Sequence, residues 1–128
     1  MVDDDQPIRE SLRSVLEDAG YVVSEAADGL AALQHFRANP HPEVVLLDLR
    51  MPGLDGAGVL GVVAADRHLS SGRAYILMSA NLPTLTLPFA HLLSELSIPV
   101  LQKPFDIDAI LDAVAHAFRR LALGSASA

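Results

Sequence analysis

Residues 48–56 read Asp-Leu-Arg-Met-Pro-Gly-Leu-Asp-Gly and directly follow the apolar run Val44-Val45-Leu46-Leu47. A short apolar run, an acid and a Pro-Gly turn together indicate a buried strand that presents a carboxylate at its C-terminal end. Ligands of open α/β sheets bind outside the carboxyl ends of the strands, so Asp48 is the first candidate for a functional residue. Aspartate also starts many turns and caps many helices, and Asp55, just before an apolar segment, fits that capping role better.

Strands and helices alternate on both sides of this stretch. The helical spacing of apolar residues predicts a first helix from Ile8 to Ala19, which Gly20 ends. Further strands are predicted at 21–26, 74–78 and 100–102, and further helices at 30–39, around 59–63, at 89–95 and at 107–121. This alternation favours βαβ units and a parallel sheet that is covered on both faces. The predicted fold is a three-layer α/β/α sandwich with five strands.

Length and composition indicate one globular domain. The chain has 128 residues, 51% of them hydrophobic and 20% charged, and we assign residues 1–123 to the domain and 124–128 to a disordered tail. The net charge of −7 disfavours direct contact with nucleic acid, because the phosphate backbone would be repelled. No apolar run is long enough for a membrane span, and the absence of cysteine suits the cytoplasm.

Polar side chains follow four of the five predicted strands. Asp3 and Asp4 follow the first, Asp48 the third, Ser79 the fourth and Lys103 the fifth. The carboxyl ends of parallel strands meet at one edge of a sheet, so these side chains are expected to lie together. Three carboxylates repel one another unless a cation lies among them, and an oxygen-only ligand set favours Mg²⁺.

This set of residues fits phosphoryl transfer to a carboxylate. Asp48 would be the nucleophile, Lys103 would offset charge on the phosphoryl oxygens, and Ser79 would donate a hydrogen bond. Each residue taken singly also has an ordinary role: acids favour a helix N-terminus, serine is common in turns, and lysine is common on surfaces.

Four motifs in this order resemble the receiver domain of two-component response regulators. They are Asp3-Asp4, residues 48–56, Met78-Ser79-Ala80 and Lys103-Pro104-Phe105, and the similarity runs from about residue 2 to residue 121. The resemblance implies a flavodoxin-like fold with the strand order 2-1-3-4-5. It also implies a signalling domain that is not an enzyme beyond its own aspartyl phosphorylation and dephosphorylation.

The resemblance implies a role for each motif residue. Asp48 would accept a phosphoryl group from a sensor histidine kinase or a phosphotransfer protein. Lys103 would pair with the phosphoryl group, with its geometry fixed by a cis peptide bond to Pro104, and Ser79 would follow the phosphoryl oxygen. The implied ligands of Mg²⁺ are Asp3, Asp4, Asp48 and the backbone carbonyl of Arg50.

Three features depart from the family pattern. Only Met1 and Val2 precede the acids, so the first strand is cut short, and we expect lowered stability and a tendency to associate, for instance as a homodimer. Val100 stands where the family often places an aromatic switch residue. Pro83 and Pro88 interrupt the fourth of the five long helices and alter the expected output surface.

Two alternative functions stay open at this point. A receiver-like interaction module would keep the fold without being controlled by phosphorylation. An aspartyl-phosphate phosphohydrolase fits less well, because position 50 is Arg where a second acid is expected, and no glycine-rich phosphate loop is present. By the resemblance, Arg50 and Asn81 influence the lifetime of the phosphoryl group, and Arg9, Arg13 and Phe105 are predicted to select the kinase. The sequence does not identify the downstream protein target.

Overall fold

The computed structural model describes residues 1–80, 87–103 and 106–127 and contains a parallel sheet flanked by helices. The strands are β1 (Glu43–Asp48), β2 (Arg73–Ser79) and β3 (Val100–Gln102), paired in the order β1-β2-β3. The helices are α1 (Gln6–Asp18), α2 (Gly29–Ala38), α3 (Gly56–Ala65), α4 (Arg67–Ser70), α5 (Leu87–Glu95) and α6 (Ile107–Ser127). The alternation agrees with the prediction, except that the short α4 follows α3 before β2.

The predicted first strand is reduced to one bridging residue. Val2 forms parallel bridges to Leu47 on one side and to Ala26 on the other, so it lies between β1 and the segment that ends at Ala26. The Val2 N–H donates to the Leu46 carbonyl at 2.7 Å, and the Asp3 N–H donates to the Ala26 carbonyl at 3.2 Å. The spatial order of the predicted strands is therefore 2-1-3-4-5, as the resemblance implied.

The sheet has fewer full strands than the five predicted. Within the described ranges, residues 21–25 form no strand, and Ala26 makes a single bridge. A strand needs a neighbour along its length to pair its backbone groups, and here the neighbour offers one bridging residue. Val22 is fully exposed as a result. The prediction of a full strand at 21–26 is thus corrected to one bridge.

Two hydrophobic clusters cover the two faces of the sheet. Val45 and Leu47 of β1 belong to one cluster, together with residues of α2, α3 and α4. Leu46 of β1 belongs to the other, together with residues of α1 and α6. Successive β1 side chains thus enter opposite layers, as expected of a strand buried on both faces. This arrangement confirms the predicted three-layer sandwich.

Aspartates cap the first three helices. The carboxylates of Asp5, Asp28 and Asp55 accept hydrogen bonds from the backbone N–H three residues further on, at 3.2, 2.8 and 2.9 Å. The capping role predicted for Asp55 is therefore confirmed. Pro88 is the second residue of α5, where a helix needs no N–H donor, so it does not break this helix.

The last helix is longer than predicted. It is helical to Ser127, past residue 123, and the boundary between a domain at 1–123 and a tail at 124–128 stays a prediction. Among the helices of the described ranges, none combines the length and the apolar character that crossing a membrane requires.

Candidate functional site

Three carboxylates meet at the C-terminal edge of the sheet. Asp48 is the last residue of β1, and the Val2 bridge brings Asp3 and Asp4 beside it. One carboxylate oxygen from each of the three aspartates lies within 4.8 Å of the others. Asp3 is 0% exposed and Asp48 is 6% exposed, whereas Asp4 lies at the surface. The structure therefore brings together the acids that the sequence selected.

Lys103 places a positive charge against the two buried acids. Its Nζ lies 3.1 Å from Oδ2 of Asp3 and 3.3 Å from Oδ1 of Asp48. Its backbone N–H donates to the carbonyl of Ser79 at 2.7 Å, which fixes the chain after β3 against the end of β2. Lys103 is also the only lysine in the sequence. The two buried carboxylates thus share one ammonium group.

Ser79 completes the predicted set. It is the last residue of β2, is 1% exposed, and pairs in register with Gln102 of β3. Its place at the same strand edge as Asp48 follows from the parallel register, in which Asp48 lies opposite Met78. The chain order of these residues therefore predicted their spatial grouping, while their functional roles stay predictions.

The burial of Asp48 perturbs its ionisation. Burial, followed by the negative charge of Asp3, raises the pKa of Asp48 from 3.8 to about 6, while Lys103 and the backbone N–H of Arg50 oppose this shift. Burial acts to lower the pKa of Lys103, but the hydrogen bond and the charges of the two acids outweigh it, so this pKa lies above its ordinary value. At neutral pH, Lys103 is charged and Asp48 is ionised, although burial and the charge of Asp3 disfavour the ionised form of Asp48.

The loop after β1 folds tightly back on Asp48. The Gly56 N–H donates to the Leu49 carbonyl at 2.9 Å, and the Leu49 N–H donates to the Met78 carbonyl at 2.9 Å. A Cβ at position 56 would lie 2.4 Å from the Asp48 carbonyl oxygen, so only glycine fits there without a backbone shift. Gly53 has φ +74°, which glycine adopts readily. Gly53 and Gly56 therefore allow the tight backbone path of the loop that follows Asp48.

Sequence reasoning missed the contacts that hold Asp3 in place. The Arg9 guanidinium donates to the Asp3 carbonyl at 2.6 Å and to Glu25 at 3.2 Å, and the Asp5 N–H donates to Oδ1 of Asp3 at 3.0 Å. The Arg9 side chain is 15% exposed, against 47% for Arg13, so Arg9 is mainly engaged within the domain. No sequence signal marks a backbone carbonyl as a partner, although the capping position of Asp5 indicates a local turn.

Several predicted features are only partly described. Val100 opens β3 opposite Leu77 and is partly buried, so the position of the usual aromatic switch carries an aliphatic side chain. Pro104 with its predicted cis bond, Phe105, Asn81 and Pro83 lie outside the described residues.

The three carboxylates and Lys103 fit a hard divalent cation. Fully ionised, they carry three negative charges and one positive charge, which leaves two negative charges among these four side chains. Two of the carboxylates are buried, where unbalanced charge is costly. An all-oxygen donor set suits Mg²⁺ better than a transition metal. The donors present are therefore compatible with the predicted Mg²⁺.

Comparison with known proteins agrees with this geometry. The sequence profile described as response regulator receiver domain matches residues 1–115. Sporulation initiation phosphotransferase F of Bacillus subtilis is 35% identical over 114 residues, which cover 89% of this chain and 87% of that protein. Transcriptional regulatory protein CseB of Streptomyces avermitilis is 47% identical over 58 residues, which cover 45% of this chain and 24% of that protein. The chain spans about a quarter of the length of CseB and similar curated regulators.

Solved structures show the same fold. The CheY-like response regulator receiver domain protein of Methanospirillum hungatei superposes with a TM-score of 0.80 at 26% identity, covering 94% of this chain and 92% of that chain. A Francisella response regulator receiver domain gives a TM-score of 0.78 at 28% identity, with 93% of each chain covered. These likenesses confirm the predicted fold class.

Proposed function

This chain belongs to the response regulator receiver family, and from this premise we propose that Asp48 accepts a phosphoryl group from a phosphohistidine. Receiver domains interact with histidine kinases and phosphotransfer proteins of two-component systems, so the proposed donor is a protein of one of these kinds. The domain acts as a switch for protein interactions, and the reaction on its own aspartate is the chemistry that it performs. The proposed phosphoryl donor includes a sensor histidine kinase, the proposed downstream target is a protein, and the proposed location is the cytoplasm.

One observation carries this proposal. The Asp48 carboxylate is buried at the end of β1, 3.3 Å from the Lys103 ammonium and within 4.8 Å of carboxylate oxygens of Asp3 and Asp4. A nucleophilic carboxylate beside a fixed cation and a cation-binding acid cluster is the arrangement that phosphoryl transfer requires. An isolated aspartate on the surface would have neither a fixed cation nor a cation-binding acid cluster beside it.

The proposed step uses groups that the chain itself provides. An oxygen of the Asp48 carboxylate attacks the phosphorus, the bond from phosphorus to the donor histidine nitrogen breaks, and the imidazole keeps the electron pair. The Lys103 ammonium, already within 3.3 Å of Asp48, offsets the negative charge that gathers on the phosphoryl oxygens. Asp48 must be ionised to attack, which its pKa of about 6 permits at neutral pH.

The proposed Mg²⁺ ligands are Asp3, Asp4, Asp48 and the backbone carbonyl of Arg50. When bound there, Mg²⁺ would neutralise charge on the transferred group. Ser79, buried at the end of β2, is proposed to donate its hydroxyl to a phosphoryl oxygen and so to couple phosphorylation to the chain that follows it.

Intact mass spectrometry after incubation with Mg²⁺ and acetyl phosphate tests the proposal. The parent protein is expected to gain one phosphoryl group, and Asp48→Asn is expected to gain none. Asp108→Asn is a matched control, because Asp108 is an exposed acid in the first turn of α6 and does not belong to the cluster of Asp3, Asp4 and Asp48. This control should be phosphorylated like the parent.

Two results would overturn the proposal. Equal phosphorylation of Asp48→Asn would place the acceptor elsewhere. A folded parent protein that binds Mg²⁺ in calorimetry and yet gains no phosphoryl group would favour the interaction module, in which the fold persists without phosphorylation control.

A further inference from the structure

Arg9 lies beside the acid cluster but is not one of the proposed ligands. It is the fourth residue of α1, and the positive end of a helix dipole disfavours a cation in the first turn. Its side chain is nevertheless 15% exposed and held close against the domain. A compensating interaction is therefore required, and the guanidinium makes two.

The Arg9 guanidinium bridges two segments of the chain. Its Nη1 donates to the Asp3 carbonyl oxygen at 2.6 Å, and its Nε donates to Oε1 of Glu25 at 3.2 Å. A hydrogen bond from a charged donor is roughly twice as strong as one between neutral groups. The rigid fork of the guanidinium serves both acceptors at once. Arg9 therefore connects α1 to the backbone of Asp3 and to residues 21–26.

Every polar group of Asp3 has a partner within the fold. Its N–H and its two carboxylate oxygens are paired at 3.0–3.2 Å with the Ala26 carbonyl, the Asp5 N–H and the Lys103 ammonium. Its carbonyl oxygen is the fourth group, and Arg9 is the side chain that holds it. Arg9 thus completes the fixation of Asp3.

The Asp3 carbonyl also matters for Asp4, because the two residues share a peptide unit. That unit is planar, so fixing the Asp3 carbonyl fixes the Asp4 N–H and limits the directions open to the Asp4 side chain. Asp4 is exposed whereas Asp3 is buried, so packing constrains the Asp4 carboxylate less. The hydrogen bond from Arg9 therefore bears most directly on the surface member of the acid cluster.

From these contacts we infer that Arg9 is a positioning residue for the cation site. It holds the Asp3–Asp4 peptide unit so that the Asp4 carboxylate stays within reach of Asp3 and Asp48. This inference rests on the proposed function, in which these three acids are ligands of Mg²⁺. Replacing a residue that orients a metal ligand commonly lowers metal affinity by about 10- to 100-fold. Arg9 itself binds no cation, because a guanidinium is positively charged and has no acceptor atom.

The sign of the effect separates positioning from simple electrostatics. A positive charge beside the acid cluster opposes cation binding, so removing the Arg9 charge alone would tighten Mg²⁺ binding. Removing the hydrogen bond to the Asp3 carbonyl would loosen Asp4 and weaken Mg²⁺ binding. We expect the loss of positioning to dominate, because Glu25, at 3.2 Å from Nε, already offsets the charge of Arg9.

Calorimetric titration of the full chain with Mg²⁺ alone tests the inference. Arg9→Met keeps an apolar stem without the guanidinium and should weaken Mg²⁺ affinity by about tenfold or more. Arg9→Lys keeps the charge but replaces the planar fork with one ammonium, so its affinity should fall between those of the parent and Arg9→Met. Circular dichroism and thermal melts show whether each variant is folded.

Arg13→Met is the matched control in the same helix. Arg13 also pairs with Glu25, but its other partner is Glu17, and its predicted role concerns the kinase and not the ion. Because these ion pairs are largely exposed, its Mg²⁺ affinity should stay within about twofold of the parent.

Two further measurements show where Arg9 acts. In an Asp4→Asn background, Arg9→Met should change Mg²⁺ affinity much less than in the parent, because the effects of coupled residues are not additive. In phosphorylation by acetyl phosphate, Arg9→Met should be slowest relative to the parent at limiting Mg²⁺, and the deficit should shrink as the Mg²⁺ concentration rises. A general loss of structure would lower the rate at every Mg²⁺ concentration.

Three results in the variants would overturn the inference. Unchanged or tighter Mg²⁺ binding by folded Arg9→Met would leave Arg9 without a positioning role. Equal weakening by Arg13→Met would assign the effect to the ion pairs of α1. The same loss in the parent and in the Asp4→Asn background would show that Arg9 does not act through Asp4.

Arg9→Lys decides the matter if Arg9→Met does not fold. Its net charge is unchanged, so a weaker affinity would support positioning and parental affinity would overturn it. Failure of the proposed function gives a different result: a parent protein that binds Mg²⁺ and gains no phosphoryl group overturns phosphorylation, while the titrations still test Arg9. A parent protein that binds no Mg²⁺ would overturn the positioning role itself.

Discussion

At the scale of single residues, Asp48 combines the position proposed for the phosphoryl acceptor with a cost in stability. Its pKa rises from 3.8 in an ordinary setting to about 6 in the fold, chiefly through burial. A raised pKa means that the folded state binds more protons than the unfolded state between pH 4 and 6, so this contribution to stability is present below about pH 4 and lost as the pH rises through about 6. Ionised Asp48 therefore destabilises the metal-free protein at neutral pH.

Asp48→Asn is expected to raise the free energy of unfolding at pH 7.5 without Mg²⁺ by about 1–2 kcal/mol, because it removes a buried charge. The gain should shrink as the pH falls from about 6 towards 4, where Asp48 becomes protonated in the parent fold. Urea unfolding of both proteins across this pH range measures the difference. A gain that is independent of pH would show that Asp48 ionisation is not its cause.

Lys103 is predicted to act mainly on the transition state of phosphoryl transfer. Lys103→Met should lower the rate of phosphorylation by acetyl phosphate by about 100-fold or more, since a fixed cation beside the acceptor is lost. Lys103→Arg is the matched control: it keeps the charge but replaces a compact ammonium with a planar fork, so it should recover only part of the rate. Intact mass time courses measure both.

Binding of Mg²⁺ separates this role of Lys103 from a general loss of structure. Calorimetry should show that Lys103→Met still binds the ion, because Asp3, Asp4 and Asp48 remain. Phosphorylation of Lys103→Met at the parental rate would contradict the role given to the ammonium group.

Sequence reasoning predicted the spatial grouping of the candidate site residues for a physical reason. Asp48 and Ser79 each directly follow an apolar run, Lys103 directly follows the short strand β3, and a parallel sheet brings such positions to one edge. The perturbed pKa of Asp48 was not foreseen, because its value depends on burial and on the position of Asp3. The contacts of Arg9 within the domain were not foreseen, since its main-chain partner leaves no trace in the sequence, and its role in selecting the kinase stays a prediction.

At the scale of elements, the turn between β1 and α3 depends on close backbone contact. Gly56→Ala is expected to lower the free energy of unfolding by about 2 kcal/mol or more, because its Cβ would lie 2.4 Å from the Asp48 carbonyl oxygen. The displaced loop should also slow phosphorylation. Thermal and urea unfolding, together with mass time courses, measure the two effects.

Gly61→Ala is the matched control in the same helix. A Cβ at Gly61 meets no atom within 4 Å, so this change should stabilise α3 by about 0.5–1 kcal/mol through helix propensity. Similar destabilisation by both substitutions would mean that α3 tolerates no added methyl group, and the close approach at Gly56 would not be the cause.

Arg73 ties several elements together at the other end of the sheet. Its side chain is 2% exposed, and its Nε donates to Glu43 at 2.9 Å. Its Nη2 donates to the Phe36 carbonyl at 2.8 Å and also to the Asn39 carbonyl, and the guanidinium lies 5.1 Å from the Phe36 ring centroid. One buried cation therefore joins β1, β2 and the C-terminal end of α2.

Arg73→Met is expected to lower the free energy of unfolding by about 3–5 kcal/mol, because it leaves the Phe36 and Asn39 carbonyls without their buried donor and takes from Glu43 its arginine partner. Adding Glu43→Gln should restore part of this loss by removing the carboxylate charge that Arg73 had balanced. Arg67→Met in α4 is the control, since Arg67 is exposed, and its effect should stay within about 0.5 kcal/mol. Equal effects at positions 67 and 73, measured by urea unfolding, would refute this account.

At the scale of the whole molecule, the apolar pattern of the sequence predicted the three layers. It did not predict that residues 21–26, at one edge of the sheet, would form a single bridge instead of a strand. The runs before Asp48 and Ser79 became β1 and β2, buried on both faces. Residues 21–26 have the composition of a strand, yet only Ala26 pairs, because pairing depends on the length of the neighbouring strand. Local propensity does not include that information.

This edge is also where the protein is predicted to associate. Val22 is fully exposed, and Phe118, which is 41% exposed, stacks on Tyr21 with ring centroids 5.3 Å apart. An exposed apolar side chain on a segment that forms no strand at 21–25 is a template for contact with a second copy, and no charged side chain of the kind that protects edges stands at position 22. Homodimer formation through this edge is therefore expected as the concentration rises.

Sedimentation equilibrium of Val22→Lys tests this expectation. A charge at the exposed edge should weaken self-association by about tenfold or more, because pairing would bury or crowd the lysine. Leu30→Lys is the matched control, since Leu30 is also an exposed aliphatic residue, at 64% exposure, but belongs to α2 and not to residues 21–26. A parent protein that stays monomeric at all concentrations, or equal weakening by both substitutions, would show that the open edge does not drive association. Selective weakening by Val22→Lys would attribute association to the exposed apolar side chain on residues 21–26, the segment that pairs through Ala26 alone.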